Sequence, residues 1–178
     1  MYTVDMRIVG EDGELLPHDG KAFGELQVKG HAIIDGYHED EEASVAAMTE
    51  DGWLKTGDVA RITPEGFMML VDRTKDLIKS GGEWISSIDL ENAAQGHPSI
   101  MECAVISAYH PQWGERPLLI AVTENDVTLN LEDIHEYLND KVAKWWLPDD
   151  VVFVEELPHT ATGKISKMTL REQFKDYK

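Results

Sequence analysis

An α+β protein in two parts is predicted by three features of the sequence. The first 72 residues read almost wholly as strand and loop, a short polar segment follows, and strands and helices mix beyond it. Residues 1–72 form a β-rich subdomain, residues 73–76 (Arg73-Thr74-Lys75-Asp76) form a linker, and residues 77–178 form a small mixed α/β carboxy-terminal domain.

The elements follow from local pattern. Residues 2–9 and 23–29 alternate apolar and polar as half-exposed strands do, and the loop between them holds Pro17 and Gly20. Asp40 to Met48 is a short helix whose acids sit in the first turn, where the macrodipole favours them. Asp58 to Ile62 and Phe67 to Val71 make a hairpin around Pro64-Glu65-Gly66. Beyond the linker, Ser86 or Ser87 caps a helix that runs through Ala94 and stops at Gly96-His97-Pro98. Cys103–Ala108 and Leu118–Thr123 are dense in aliphatics and read as central strands. Leu131, Ile134, Leu138 and Val142 share one helical face. Val151–Val154 is another strand and Leu170–Tyr177 a last helix, so helices are expected to pack on one face of a single sheet.

Composition narrows the function. Of 178 residues 42% are hydrophobic, enough for a packed core. Acids outnumber bases 34 to 16, a net charge of -18 that repels phosphate backbones and anionic lipid and disfavours nucleic-acid binding. Cys103 is the one cysteine, so no intrachain disulfide forms, as in a reducing cytoplasm. No apolar stretch approaches the roughly 20 residues that span a bilayer, and Met1-Tyr2-Thr3-Val4-Asp5 lacks signal-peptide character. A cytoplasmic protein is expected.

Several familiar sites are ruled out. Thr160-Ala161-Thr162-Gly163-Lys164-Ile165 is not a P-loop, because Pro158 stands at the first glycine position and Ile165 replaces the magnesium-binding Ser or Thr. No Gly-x-Ser-x-Gly elbow occurs, and the scattered histidines give no zinc spacing, so no metal ligands are assigned. Three segments remain, in fixed order: Gly52-Trp53-Leu54-Lys55-Thr56-Gly57-Asp58, then Asp72-Arg73-Thr74-Lys75-Asp76-Leu77-Ile78-Lys79-Ser80-Gly81-Gly82-Glu83, then Pro158-His159-Thr160-Ala161-Thr162-Gly163-Lys164-Ile165.

Their order and spacing resemble the adenylate-forming superfamily of acyl-CoA synthetases, peptide-synthetase adenylation domains and luciferases, across essentially the whole chain. The similarity is strongest to bacterial medium- and long-chain fatty acyl-CoA synthetases, through Gly81-Gly82-Glu83-Trp84-Ile85-Ser86-Ser87 and Trp113-Gly114-Glu115-Arg116-Pro117.

The resemblance implies roles. Asp58 would accept hydrogen bonds from the vicinal ribose hydroxyls of AMP, with the planar fork of Arg73 beside it. Lys75 would be the hinge about which the carboxy-terminal domain swings between an adenylation and a thioester-forming pose. Gly81 and Gly82 would line the channel for the pantetheine thiol. Trp84 would either contact the adenine pocket or pack in a core. Gly163 would carry Lys164 into a cleft, where its ammonium stabilises charge as a carboxylate attacks the α-phosphate of ATP. Lys167 departs from the pattern, standing where many relatives have arginine, so a bidentate contact is lost.

The family's Gly/Ser-rich phosphate loop, its Tyr-Gly-x-Thr-Glu segment for magnesium and its acyl pocket do not occur in this sequence. Residues 1–72 therefore resemble the last subdomain of a large amino-terminal domain, and the segment alone is expected to be inactive. Uncovered edges would favour a homo-oligomer. ATP or AMP, coenzyme A, magnesium and a fatty acid are the implied ligands. Loading of a carrier protein, or a non-catalytic nucleotide-binding or interaction module, are the alternatives.

Overall fold

The computed structural model describes residues 3–124 and 127–177. Tyr2, at the head of the first predicted strand, lies outside them. The chain divides into two compact units, residues 1–75 and 76–178.

In the first unit, β1 (Asp5–Val9), β2 (Phe23–Lys29), β3 (Leu54–Ile62) and β4 (Met68–Arg73) form an antiparallel sheet in the order β1-β2-β3-β4. Alternation puts Ile8, Leu26, Ala60 and Ile62 on one buried face, with Met6, Leu16 and Val28 beside them. The short helix α1 (Glu41–Ala47) starts at Asp40, whose carboxylate accepts the Ala43 N–H at 2.9 Å. Both hairpin strands are longer than the apolar pattern suggested. β3 begins at Leu54, and β4 runs to Arg73, so Arg73 is a strand residue rather than the first residue of a linker. On β4, an edge strand, Met68, Met69 and Leu70 are exposed, as is Phe67 just before it.

The second unit contains β5 (Ile78–Ser80), β6 (Glu83–Ile85), α2 (Ser87–Gln95), β7 (Ile100–His110), β8 (Gly114–Thr123), α3 (Leu131–Leu138), a 3-10 turn at Lys144–Trp146, β9 (Asp150–Phe153) and α4 (Lys167–Gln173). The long pair β7–β8 is its spine. β5 meets the start of β8 through Ser80 and Gly114, and β9 runs parallel to Leu118–Ala121 of β8 after the α3 crossover.

Helices cover both faces of this sheet, which corrects the one-face expectation. Cys103, Val105, Leu119 and Ala121 pack with Leu90 and Ala94 of α2 and with Ile134 and Leu138 of α3. Ala104, Ile106, Leu118 and Ile120 pack with Leu157 and with Leu170 of α4. Burial on both faces explains why β7 and β8 read as unbroken aliphatic runs. α3 also ends four residues before Val142. That residue still bonds back to Leu138 O at 3.2 Å and packs on the α2–α3 face. α4 starts at Lys167, three residues earlier than predicted, because Ser166 caps it. No helix among the described residues is long and apolar enough to cross a membrane.

Two-sided burial makes α4 structural. Leu170→Ala should destabilise the second unit by about 2–5 kcal/mol in urea titration, as much as Leu138→Ala on the opposite face. A sheet packed on one face only would tolerate the α4 change.

Candidate active site

In the first unit the site is the pair Asp58–Arg73. The two residues sit opposite each other in the β3–β4 register, and Arg73 Nε lies 3.0 Å from Asp58 Oδ1. The Thr74 N–H closes the corner on Gly57 O at 3.0 Å. Both side chains are partly exposed, so the ion pair contributes little stability. Its effect is to hold a carboxylate in one orientation, with lone pairs left for hydroxyl donors.

A polar lock lies just upstream. Arg7 on β1 spans Asp51 at 2.8 and 3.1 Å, reaches Gln27 at 2.8 Å and lies 4.4 Å over the Trp53 ring. The Asp51 carboxyl is lowered to about 2, first by the Arg7 bonds and then by the Thr49 hydroxyl. This holds the Gly52-Trp53 turn that leads into β3. Sequence reading missed it, because Arg7 is one alternating polar position among many in a strand.

In the second unit Lys164 stands at the end of a tight hairpin closed by the His159–Ile165 bridge. Thr160 N–H donates to Lys164 O at 2.7 Å, and Gly163 N–H to Thr160 O at 2.9 Å. Gly163 has φ +79°, and a Cβ there would meet no atom within 4 Å. The glycine is thus required by backbone conformation rather than by crowding. Lys164 is exposed, and its ammonium makes no hydrogen bond or ion pair among the described residues.

Lys167, one helical step on, behaves differently. Its ammonium is 2.7 Å from Glu91 Oε1 and 2.7 Å from Ser87 Oγ, and Glu91 Oε1 also accepts the Val105 N–H at 2.7 Å. Lys167 therefore fastens α4 to α2 and, through Glu91, to β7. Nothing local in the sequence marks Glu91 as its partner, since 76 positions separate them. Cys103 lies in the same region. Burial, and then the Glu91 carboxylate, push its thiol up to about 12, which keeps it protonated at neutral pH.

Gly81 and Gly82 form the two-residue turn of a β5–β6 hairpin, with φ +59° and +88° as such turns require. The Gly-Gly pair between Ile78-Lys79-Ser80 and Glu83-Trp84-Ile85 was the available signal for this hairpin, which the element prediction omitted. The turn is docked on the second tryptophan segment. Gly81 N–H donates to Trp113 O at 2.9 Å, and a Cβ on Gly81 would lie 2.8 Å from Trp113 Cε3. Beneath it Arg116 donates to Ser80 Oγ at 3.1 Å, Asp149 Oδ1 at 2.8 Å, Trp145 O at 2.8 Å and Leu147 O at 2.9 Å. Trp84, on β6, is half-buried, with the Lys79 ammonium 5.9 Å from its ring.

Lys75 is exposed at the boundary between the units. Its neighbours are fastened within their own units, Thr74 to Gly57 O and Asp76 to Arg171 by an ion pair. Lys75 is thus the single residue between two anchors. Asp58, Arg73 and Thr74 belong to one unit, and Gly81, Gly82, Trp84 and Lys164 to the other.

A β-rich unit followed by this mixed domain, with the three segments in this order, is the architecture of the carboxy-terminal part of adenylate-forming enzymes. Residues 89–164 match the family described as AMP-binding enzyme C-terminal domain. Over 98% of its length the chain is 50% identical to a long-chain-fatty-acid–CoA ligase of Thermus thermophilus and 49% identical to a 3-methylmercaptopropionyl-CoA ligase of Ruegeria pomeroyi. It is similar to the solved structure of ATP-bound MatB from Rhodopseudomonas palustris, with a TM-score of 0.85 and 31% identity over 99% of this chain and 35% of that one. The chain spans about a third of the length of these curated relatives, 32% of each.

Two measurements test the local chemistry. Lys167→Met leaves Glu91 without its cation and should cost on the order of 3 kcal/mol in a melt of the second unit. A change within experimental error would show the pair to be incidental. The Asp51 carboxyl is depressed from 3.8 to about 2, so the stability it adds is complete above about pH 4 and is lost as pH falls towards 2. Asp51→Asn should be less stable at neutral pH and should show a flatter acid limb across that window.

Proposed function

We propose that this chain is the nucleotide- and thiol-handling part of an AMP-forming acyl-CoA synthetase. A carboxylate oxygen attacks the α-phosphorus of ATP, the bond to pyrophosphate breaks, and an acyl-adenylate forms. The thiol of coenzyme A then displaces AMP to give the thioester. The observation that carries this reading is Lys164, an exposed lysine without a partner among the described residues, beside the glycine-shaped turn of a hairpin. An ammonium so presented can enter a cleft and stabilise negative charge as it develops on the phosphate.

Asp58 and Arg73 grip the ribose in this reading. Lys75 is the pivot between adenylation and thioester-forming poses, and its place between two anchored residues supports that role. The Gly81-Gly82 turn shapes the thiol path. The acceptor is coenzyme A rather than a carrier protein, which the similarity to two CoA ligases supports. ATP as the adenylate donor is supported by the ATP-bound relative. No residue of this sequence is assigned to magnesium.

The acid is a fatty acid, by similarity to the long-chain ligase. Its length is not set here, because ligases for a long-chain fatty acid and for 3-methylmercaptopropionate match this segment equally well.

The test uses Lys164→Ala in the complete protein, with the half-reactions assayed separately. Adenylate formation from ATP should fall by about a hundredfold or more, while thioester formation from supplied acyl-adenylate should persist. Adenylation surviving within a few-fold would remove Lys164 from the reaction.

A further inference from the structure

The ribose-binding reading leaves open what aims Asp58, and a register defect supplies the answer. β2 and β3 pair as Glu25–Val59 and then as Gln27–Lys55, so β3 carries extra residues opposite Leu26. A bulge of this kind leaves backbone groups out of the ladder. One of them is the carbonyl of Leu26, a buried residue. The Thr56 hydroxyl donates to that carbonyl at 2.9 Å, and the same oxygen accepts the Asp58 N–H at 3.1 Å. One hydroxyl thus serves as donor and acceptor, tying the bulged chain back to β2 and fixing the backbone of Asp58. On its far side Asp58 is held by Arg73, and Gly57 O by the Thr74 N–H.

We propose that Thr56 is a positioning residue whose hydroxyl sets the aim of the Asp58 carboxylate, and that selectivity for ribonucleotide over deoxyribonucleotide depends on it. The inference rests on Asp58 being the ribose ligand. Valine in place of Thr56 keeps the shape but deprives the Leu26 carbonyl of its donor and the Asp58 N–H of its acceptor. The bulge then relaxes towards other partners, and the carboxylate moves off the line of the 2′-hydroxyl. Serine preserves the hydroxyl.

The experiment compares kcat/KM for ATP and 2′-deoxy-ATP, by pyrophosphate release at saturating acid, in the complete protein. The wild type, Thr56→Val, Thr56→Ser and Asp58→Asn are measured, with thermal melts to establish folding. The preference for ATP should collapse in Asp58→Asn, shrink by about fivefold to tenfold in Thr56→Val, and stay near wild type in Thr56→Ser. Should Thr56→Val not fold, Thr56→Cys, a weaker donor of similar size, should give an intermediate preference. A wild-type preference in Thr56→Val or Thr56→Cys, or an equal loss with both nucleotides, alongside collapse in Asp58→Asn would make Thr56 a turn residue only. A wild-type preference in Asp58→Asn would overturn the ribose reading itself, and the role of Thr56 with it.

Discussion

The second unit depends on the burial of β7 and β8 from both sides. Two paired strands without a solvent face must satisfy their backbone groups across the ladder and offer aliphatic side chains alternately up and down. Cys103 and Val105 thereby serve α2 and α3, and Ala104 and Ile106 serve Leu157 and α4. Everything of chemical interest hangs from the rims of this slab. Ser80 and the Gly81 turn meet the start of β8 at Gly114. The Lys164 hairpin is held between Leu157 and α4, both of which are seated on the second face. Misplacing the slab would misplace the glycine turn and the lysine together, because neither has a core of its own.

Most of this framework was legible in the sequence, and the exceptions share one cause. The aliphatic runs of β7 and β8 announced central strands because period and composition are local quantities. The face to which α4 docks is not local. It is set by Leu170 packing with Ile106 and Ile120, 64 and 50 positions earlier in the chain. Arg73 was assigned to a linker because its neighbours are polar, whereas pairing with Asp58 from β3 draws it into β4. The carboxylate and the lysine were legible as motif positions. Thr56, Glu91 and Arg116, which hold parts of the site and its scaffold in place, were not, since each acts through a partner that only the fold brings near.

In the proposed reading, the chemistry common to AMP-binding enzymes is separable from the choice of acid. The ribose pair, the glycine turn and the lysine hairpin would act on atoms that every acyl-adenylating reaction shares. Relatives named for acids as different as a long-chain fatty acid and 3-methylmercaptopropionate match the segment at 50% and 49% identity. Such parity is expected where the side chains address nucleotide and thiol rather than the acyl chain.

The ion pair between Asp76 and Arg171 has a topological consequence. The first residue of the second unit is clasped to its last helix, so the two ends of that unit are brought together like the ends of a ring. A domain whose entry and exit meet is a natural cassette. The unit thus carries its own latch, independent of the strands that precede Lys75.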